Sequence, residues 1–238
     1  MHTDSQAQAV PHRRTIVRLV VGMALFSVFG SGLLLWRSNS SGDWISHRII
    51  SIGGSVSYNS GRINHIEIFN TRVPVDVAAA IKSISSLEEL WLVRTDSTDD
   101  ELKHLKGLTR LKSLYLGDAK VTDAGVKHLK NLTRLRILEL NDTEVTDSGL
   151  ASLKKMPSLV WINLNHTQVT DAGVEHLSDL TRLRRLYLRH TNVTDAALPH
   201  LTKLKSLELL ALGETEVSAE GRAMLRKALP NCQIDPNP

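Results

Sequence analysis

Leu135–Thr146, LRILELNDTEVT, and Leu183–Thr194, LRRLYLRHTNVT, are one phrase written twice. The leucines that open it recur at 87, 111, 135, 159, 183 and 207, each 24 residues after the last. Ile63 lies one further period upstream, with Ile66 and Ile68 in register, so seven repeats run from 63 to 230. A fixed period of this length marks a solenoid: no unit covers its own apolar side, and stacking on neighbours supplies the core.

Within Leu111–Arg134 the periodicity changes from two to three. Leu114 and Leu116 are two apart and share one face of a short strand, leaving Ser113, Tyr115 and Gly117 on the other. Val121 turns inward, and Thr122-Asp123 opens a short helical segment whose free N–H groups a hydroxyl or carboxylate can accept. Thr98-Asp99-Asp100-Glu101 fits a capping box. Val126, Leu129 and Leu132 form the buried stripe, and Gly125, Gly149 and Gly173 recur where close packing or tight backbone geometry is expected. Each buried side chain contributes on the order of 1.5–3 kcal/mol before entropy. The pattern predicts parallel strands lining a concave face and helices on the convex one.

The phrase L-x-x-L-x-L-x-x-T-x-V-T-D-x-G-[LV]-x-x-L-x-x-L resembles the leucine-rich repeat family. Thr143, Val145, Thr146, Asp147, Gly149 and Leu150 carry it, as do Thr167, Val169, Thr170, Asp171, Gly173 and Val174. Within the family it is similar to the T-x-V-T-D-x-G-L subtype of planctomycete-type bacterial proteins, related to the cysteine-containing repeats of F-box proteins. The resemblance covers roughly residues 49–234 and implies an α/β leucine-rich repeat solenoid that recognises a partner. Two repeats depart from the pattern: the one from Ile63 has Pro74 for Thr, and the one from Leu207 has Ala219 for Asp. No F-box precedes the repeats, so the ubiquitin-ligase role of that relative does not carry over.

Ahead of the repeats, Leu19–Trp36 is 18 residues without a charge, about 27 Å as a helix and long enough to cross a hydrocarbon core. Arg13, Arg14 and Arg18 precede it and Arg37 alone follows closely. The positive-inside rule then places residues 1–18 in the cytoplasm and the repeats outside it, periplasmic or extracellular. A cleaved secretory signal is the competing reading, but its apolar region is normally shorter and ends at an A-x-A-like site. Ser27-x-x-x-Ser31 beside Gly30 and Gly32 offers a small-residue face through which two helices could form a homodimer. Residues 37–46, RSNSSGDWIS, read as a flexible linker. Residues 47–62 read as an N-terminal cap hairpin with turns at Gly53-Gly54 and Asn59-Ser60-Gly61. Residues 231–238 end the array, with Asp235 to Pro238 expected to fray.

The formal charge of +4 comes largely from the first 42 residues, leaving 25 basic and 24 acidic residues elsewhere. That balance gives no support to nucleic-acid binding, which wants a concentrated basic face. Cys232 is the single cysteine, so no intramolecular disulfide forms, and the paired-cysteine caps of animal receptors are missing. The sequence holds no G-x-S-x-G elbow, H-E-x-x-H, phosphate loop or dinucleotide fingerprint, and the expectation is a non-enzyme without cofactor or metal. His104, His128, His176 and His200 recur at one convex position, and His166 and His190 lie toward Asp142. Duplication of a solvated position accounts for such columns, as it does for the sequons at Asn131 and Asn165.

What the period does not explain is the outward face of the strands. Its middle column reads Glu67, Trp91, Tyr115, Glu139, Asn163, Tyr187, Ala211, and the column before it His65, Glu89, Ser113, Ile137, Trp161, Arg185, Leu209. Four large aromatics thus face the concave side in a chain that holds ten. Trp, Tyr and Arg are the types enriched in binding hot spots. Arg184, Arg185, Arg189 and His190 make one end basic; Glu67, Glu88 and Glu89 make the other acidic. Trp91, Tyr115, Trp161, Arg185, Tyr187 and Arg189 are therefore the candidate partner-binding residues, the alternative being that the rings simply pack along the sheet. The reading is a membrane-anchored module that binds a protein through its concave face; a glycan-binding envelope module or a structural spacer are the alternatives.

Overall fold

The computed structural model describes residues 41–235. The proposed membrane segment 19–36, the tail before it and residues 236–238 lie outside the described residues. Among the described residues no helix is long and apolar enough to cross a membrane.

The described chain forms one nine-stranded sheet in sequential order. β1 (Ser55–Asn59) and β2 (Arg62–Phe69) form an antiparallel hairpin. After it come β3 (Glu89–Val93), β4 (Ser113–Tyr115), β5 (Ile137–Glu139), β6 (Trp161–Asn163), β7 (Arg185–Tyr187), β8 (Leu209–Ala211) and β9 (Gln233–Ile234), all parallel. Register advances by one repeat per strand, so Leu90, Leu114, Leu138, Ile162, Leu186 and Leu210 form a single column, each fully buried. The crossovers carry α2 (Val75–Ile81), α3 (Asp99–Leu105), α4 (Asp123–Val126), α5 (Asp147–Leu150), α6 (Asp171–Leu177), α7 (Leu198–Leu201) and α8 (Ala219–Ala228), with 3₁₀ turns extending several of them. The core between strands and helices is a continuous file of Leu, Ile and Val.

At the N-terminus the expectation needs correction. Residues 41–51, read from sequence as linker and the start of a hairpin, form a helix, α1 (Ser41–Ser51). Ile45 and Ile49, one turn apart, are buried in the core, Ser46 accepts a hydrogen bond from the Tyr58 hydroxyl at 2.6 Å, and Arg48 pairs with Asp76 at 3.0 Å. The cap is therefore a helix plus a hairpin, and the second hairpin strand is also the first repeat strand. Ser60 and Gly61, both at positive φ, make the tight turn that the right-handed twist of a two-residue hairpin demands.

The Asp of the recurring Thr-Asp pair does not serve its own helix. Each Thr caps its own helix; each Asp reaches one repeat forward. Asp99 accepts from the Thr122 N–H (2.9 Å) and hydroxyl (2.7 Å), Asp123 from Thr146, Asp147 from Thr170, Asp171 from Thr194 and Asp195 from Ser218. The recurrent glycine makes room for this carboxylate. A Cβ at Gly149 would lie 2.5 Å from Asp123 Oδ1, and Gly125, Gly173 and Gly221 face the preceding Asp in the same way. Where Ala197 stands at the equivalent place, the segment Asp195–Ala197 is 3₁₀. Thr98 has no such Asp behind it, and Glu101 makes both bonds instead, each at 2.8 Å, completing the capping box.

A second column runs through Asn70, Arg94, Asp118, Asp142, His166, His190 and Glu214, all left-handed with φ between 52° and 57°. A non-glycine residue there costs about 1–2 kcal/mol. What the bend gains is one more rung: Arg94, Asp118, Asp142, His166 and His190 each donate their N–H to a carbonyl of the next repeat. At the C-terminus Asp235, expected to fray, is a clasp. Its carboxylate accepts from the Leu212 N–H at 2.7 Å and from Arg189 Nε at 2.8 Å.

Candidate functional site

Strand alternation sets the concave surface: inward residues are buried, while Glu89, Trp91, Tyr115, Ile137, Glu139, Trp161, Asn163 and Tyr187 are partly exposed and Arg185 is exposed. The aromatics form a spine across the strands. Trp91 and Tyr115 stack with centroids 4.0 Å apart, Tyr115 and Trp161 are tilted at 6.4 Å, and Trp161 and Tyr187 at 5.5 Å. Phe69, which the column reading passed over because it lies at the far end of the long β2, meets Trp91 edge to face at 5.6 Å. The rings thus pack on one another and remain half open to solvent, so sheet packing and an exposed aromatic strip coexist.

At the acidic end the charged groups are bonded to each other. His65 Nε2 lies 2.7 Å from Glu67 and Nδ1 2.9 Å from Glu89. Both ring nitrogens face carboxylates, which the doubly protonated imidazolium satisfies. Burial alone would lower the His65 pKa, but the hydrogen bonds to Glu89 and Glu67 carry it above its ordinary value. Trp91 Nε1 donates to Glu89 at 3.1 Å, and the Ser55 hydroxyl donates to Glu67 at 2.9 Å.

Toward the middle the surface opens. A groove of about 590 Å³ is lined by Tyr115, Ile137, Val160, Trp161 and four cations, Lys112, Arg136, Arg184 and Arg185. Lys112 pairs with Glu88 at 2.8 Å and Arg184 with Glu208. A smaller notch of about 300 Å³ runs along the C-terminal ends of β2 to β5, lined by Phe69, Val93, Gly117, Glu139 and Asn141. Burial raises the Glu139 carboxyl above its usual range. Arg189, a candidate from the sequence, does not line the groove: its guanidinium is held by Asp235. Arg136 was not among the sequence candidates, although it directly precedes the outward Ile137. On the ridge beyond, His166 and His190 stack at 4.2 Å. Among the described residues no three His, Cys, Asp or Glu side chains converge on a metal position. Burial pushes the Cys232 thiol up to about 11, so it stays protonated at neutral pH.

The model of the leucine rich repeat family matches residues 109–169 and 133–193. Residues 109–193 thus carry the leucine-rich repeat pattern. Among solved structures the leucine-rich repeat array is similar to internalin C2 of Listeria monocytogenes, with a TM-score of 0.61 and 20% identity, over 73% of this chain and 80% of that one. It is also similar to the PEPR1-AtPEP1 structure, with a TM-score of 0.51 and 16% identity, over 77% of this chain but only 26% of that one. At these identities the likeness speaks for the fold alone. No curated protein matches the chain.

Proposed function

We propose that this chain is a non-catalytic leucine-rich repeat module that binds a protein partner through its concave face, held outside the cytoplasm by residues 19–36. One observation carries the reading: the half-exposed aromatic spine from Phe69 to Tyr187 runs beside an open groove, on the face where the repeat is free to vary. Rings of this kind give large contact area at low entropic cost, the property that concentrates binding energy in interfaces. The similarity to internalin C2 and to PEPR1-AtPEP1 supports the reading at the level of fold. The Thr-Asp ladder with its recurrent glycine supports membership in the T-x-V-T-D-x-G-L subtype.

The test is photo-crosslinking in the native cell from a reactive residue at Asn163, with the captured protein identified by mass spectrometry. Trp161→Ala with Tyr187→Ala is expected to abolish capture while the circular dichroism spectrum stays unchanged. Capture that persists in the folded double variant refutes the concave face as the binding surface. Protease added to intact, outer-membrane-permeabilised cells is expected to reach the repeats; full protection would overturn the proposed topology.

A further inference from the structure

We propose that the groove beside Trp161 receives a single acidic side chain from an extended, otherwise non-acidic peptide segment of the partner, clamped between Arg136 and Arg185. The proposal deepens the concave-face reading and rests on it.

The cations around the groove divide into two kinds. Lys112, Arg184 and, farther out, Arg94 and Arg189 are each matched by a carboxylate of the chain itself. Arg136 and Arg185 have no carboxylate within ion-pair distance among the described residues, and both are exposed along the groove wall. Arg136 stands one residue before β5, beside Val160, and Arg185 stands on β7 in register with Trp161 and Ile137, so the two flank the groove that Trp161 lines. Two strand spacings amount to about 9–10 Å, a gap that two arginine side chains can close onto one carboxylate above the indole. Guanidinium offers paired donors matched to a carboxylate and also lies flat on aromatic rings, so the clamp and its floor suit one another. Ile137 and Val160 make the rest of the floor apolar, which suits a peptide's neighbouring side chain better than a hydrated sugar or phosphate.

The rest of the face argues against a polyanion. Glu139 lies on β5 in register with Tyr115 and Asn163, and at the N-terminal end Glu67 and Glu89 share the one His65 cation between them. An acidic polysaccharide or nucleic acid running along the strands would set like charges against these carboxylates. A lone Asp or Glu flanked by neutral or basic residues meets the arginines and spares the rest.

The experiment pans a phage-displayed library of random linear dodecapeptides on the full-length chain in detergent. The R136Q/R185Q and R136E/R185E variants are panned in parallel, each checked to melt like the parent. The parent is expected to enrich peptides holding one Asp or Glu among non-acidic residues. R136Q/R185Q should lose that preference, and R136E/R185E should shift it to Lys or Arg. For one enriched peptide made synthetically, R136Q/R185Q should weaken binding roughly tenfold or more, the scale of lost buried-charge hydrogen bonds. The proposal is overturned if the parent enriches no acid-bearing peptides, or if R136Q/R185Q retains the preference. It also falls if pentaglutamate, polygalacturonate or an oligonucleotide binds the parent more tightly than the single-acid peptide. If Trp161-dependent capture of the native partner survives R136Q/R185Q undiminished, the clamp fails while the concave-face function stands.

Discussion

On the turn side of the sheet, five successive repeats do the same thing: Asp99, Asp123, Asp147, Asp171 and Asp195 each bracket the Thr or Ser one repeat on, and opposite all but Asp171 a glycine leaves the space. On the concave side, a few ångströms away along the same strands, no two neighbouring repeats agree. His65, Glu67 and Glu89 close on each other, whereas Arg136 and Arg185 close on nothing in the described chain. The contrast separates two uses of charge. A carboxylate held by its neighbour's backbone serves the array; a guanidinium left facing an open groove serves something outside it.

The contrast can be broken from either side. The largest effect is expected from Asp147→Ala, which removes two hydrogen bonds and strands the Thr170 N–H. A loss of about 2–4 kcal/mol in chemical denaturation is expected; a loss below about 0.5 kcal/mol would show that the ladder is ornamental. Gly149→Ala comes next at about 1–2 kcal/mol, through overpacking against the Asp123 carboxylate. In an Asp123→Ala background that cost should shrink, and a double-mutant cycle reads the coupling directly.

The His65 network gives a pH signature. Its pKa is raised in the fold, so its contribution to stability is complete below the ordinary value of 6.5 and fades as pH rises through the folded value. Melting temperature should therefore fall on the alkaline side of 6.5, and His65→Gln should remove that slope. An unchanged slope in H65Q would assign it elsewhere. Smallest of all, Arg136→Gln and Arg185→Gln should change stability by less than about 0.5 kcal/mol, as exposed residues without partners do. A loss above 1 kcal/mol would mean that these arginines belong to the array after all.

The same contrast explains what was legible in the sequence. The leucine columns, strand register and helix caps follow from local periodicity, and Thr98–Glu101 could be read as a capping box from four letters. The forward reach of Asp147 to Thr170 could not, because a carboxylate beside a cap reads first as part of that cap. Helix α1 was hidden by the Ser- and Gly-rich letters at its start, although Ile45 and Ile49 carried the helical spacing. Phe69 and Arg136 sit one step outside the columns that the repeat defines, and the partner of Arg189 is Asp235, 46 residues away. Such pairings depend on where the array stops, which no repeat consensus contains.

The forward-reaching ladder also makes the molecule directional, like a ruler with marks of equal spacing. A complete unit spliced between β5 and β6 would find an Asp waiting behind it and offer one ahead, so the joints would heal on both sides. The single thing altered on the concave face would be distance: Arg185 would move away from Arg136 by one strand spacing, about 4.8 Å. Arrays built this way can lengthen the gap between two contact points by whole steps without redesigning either one.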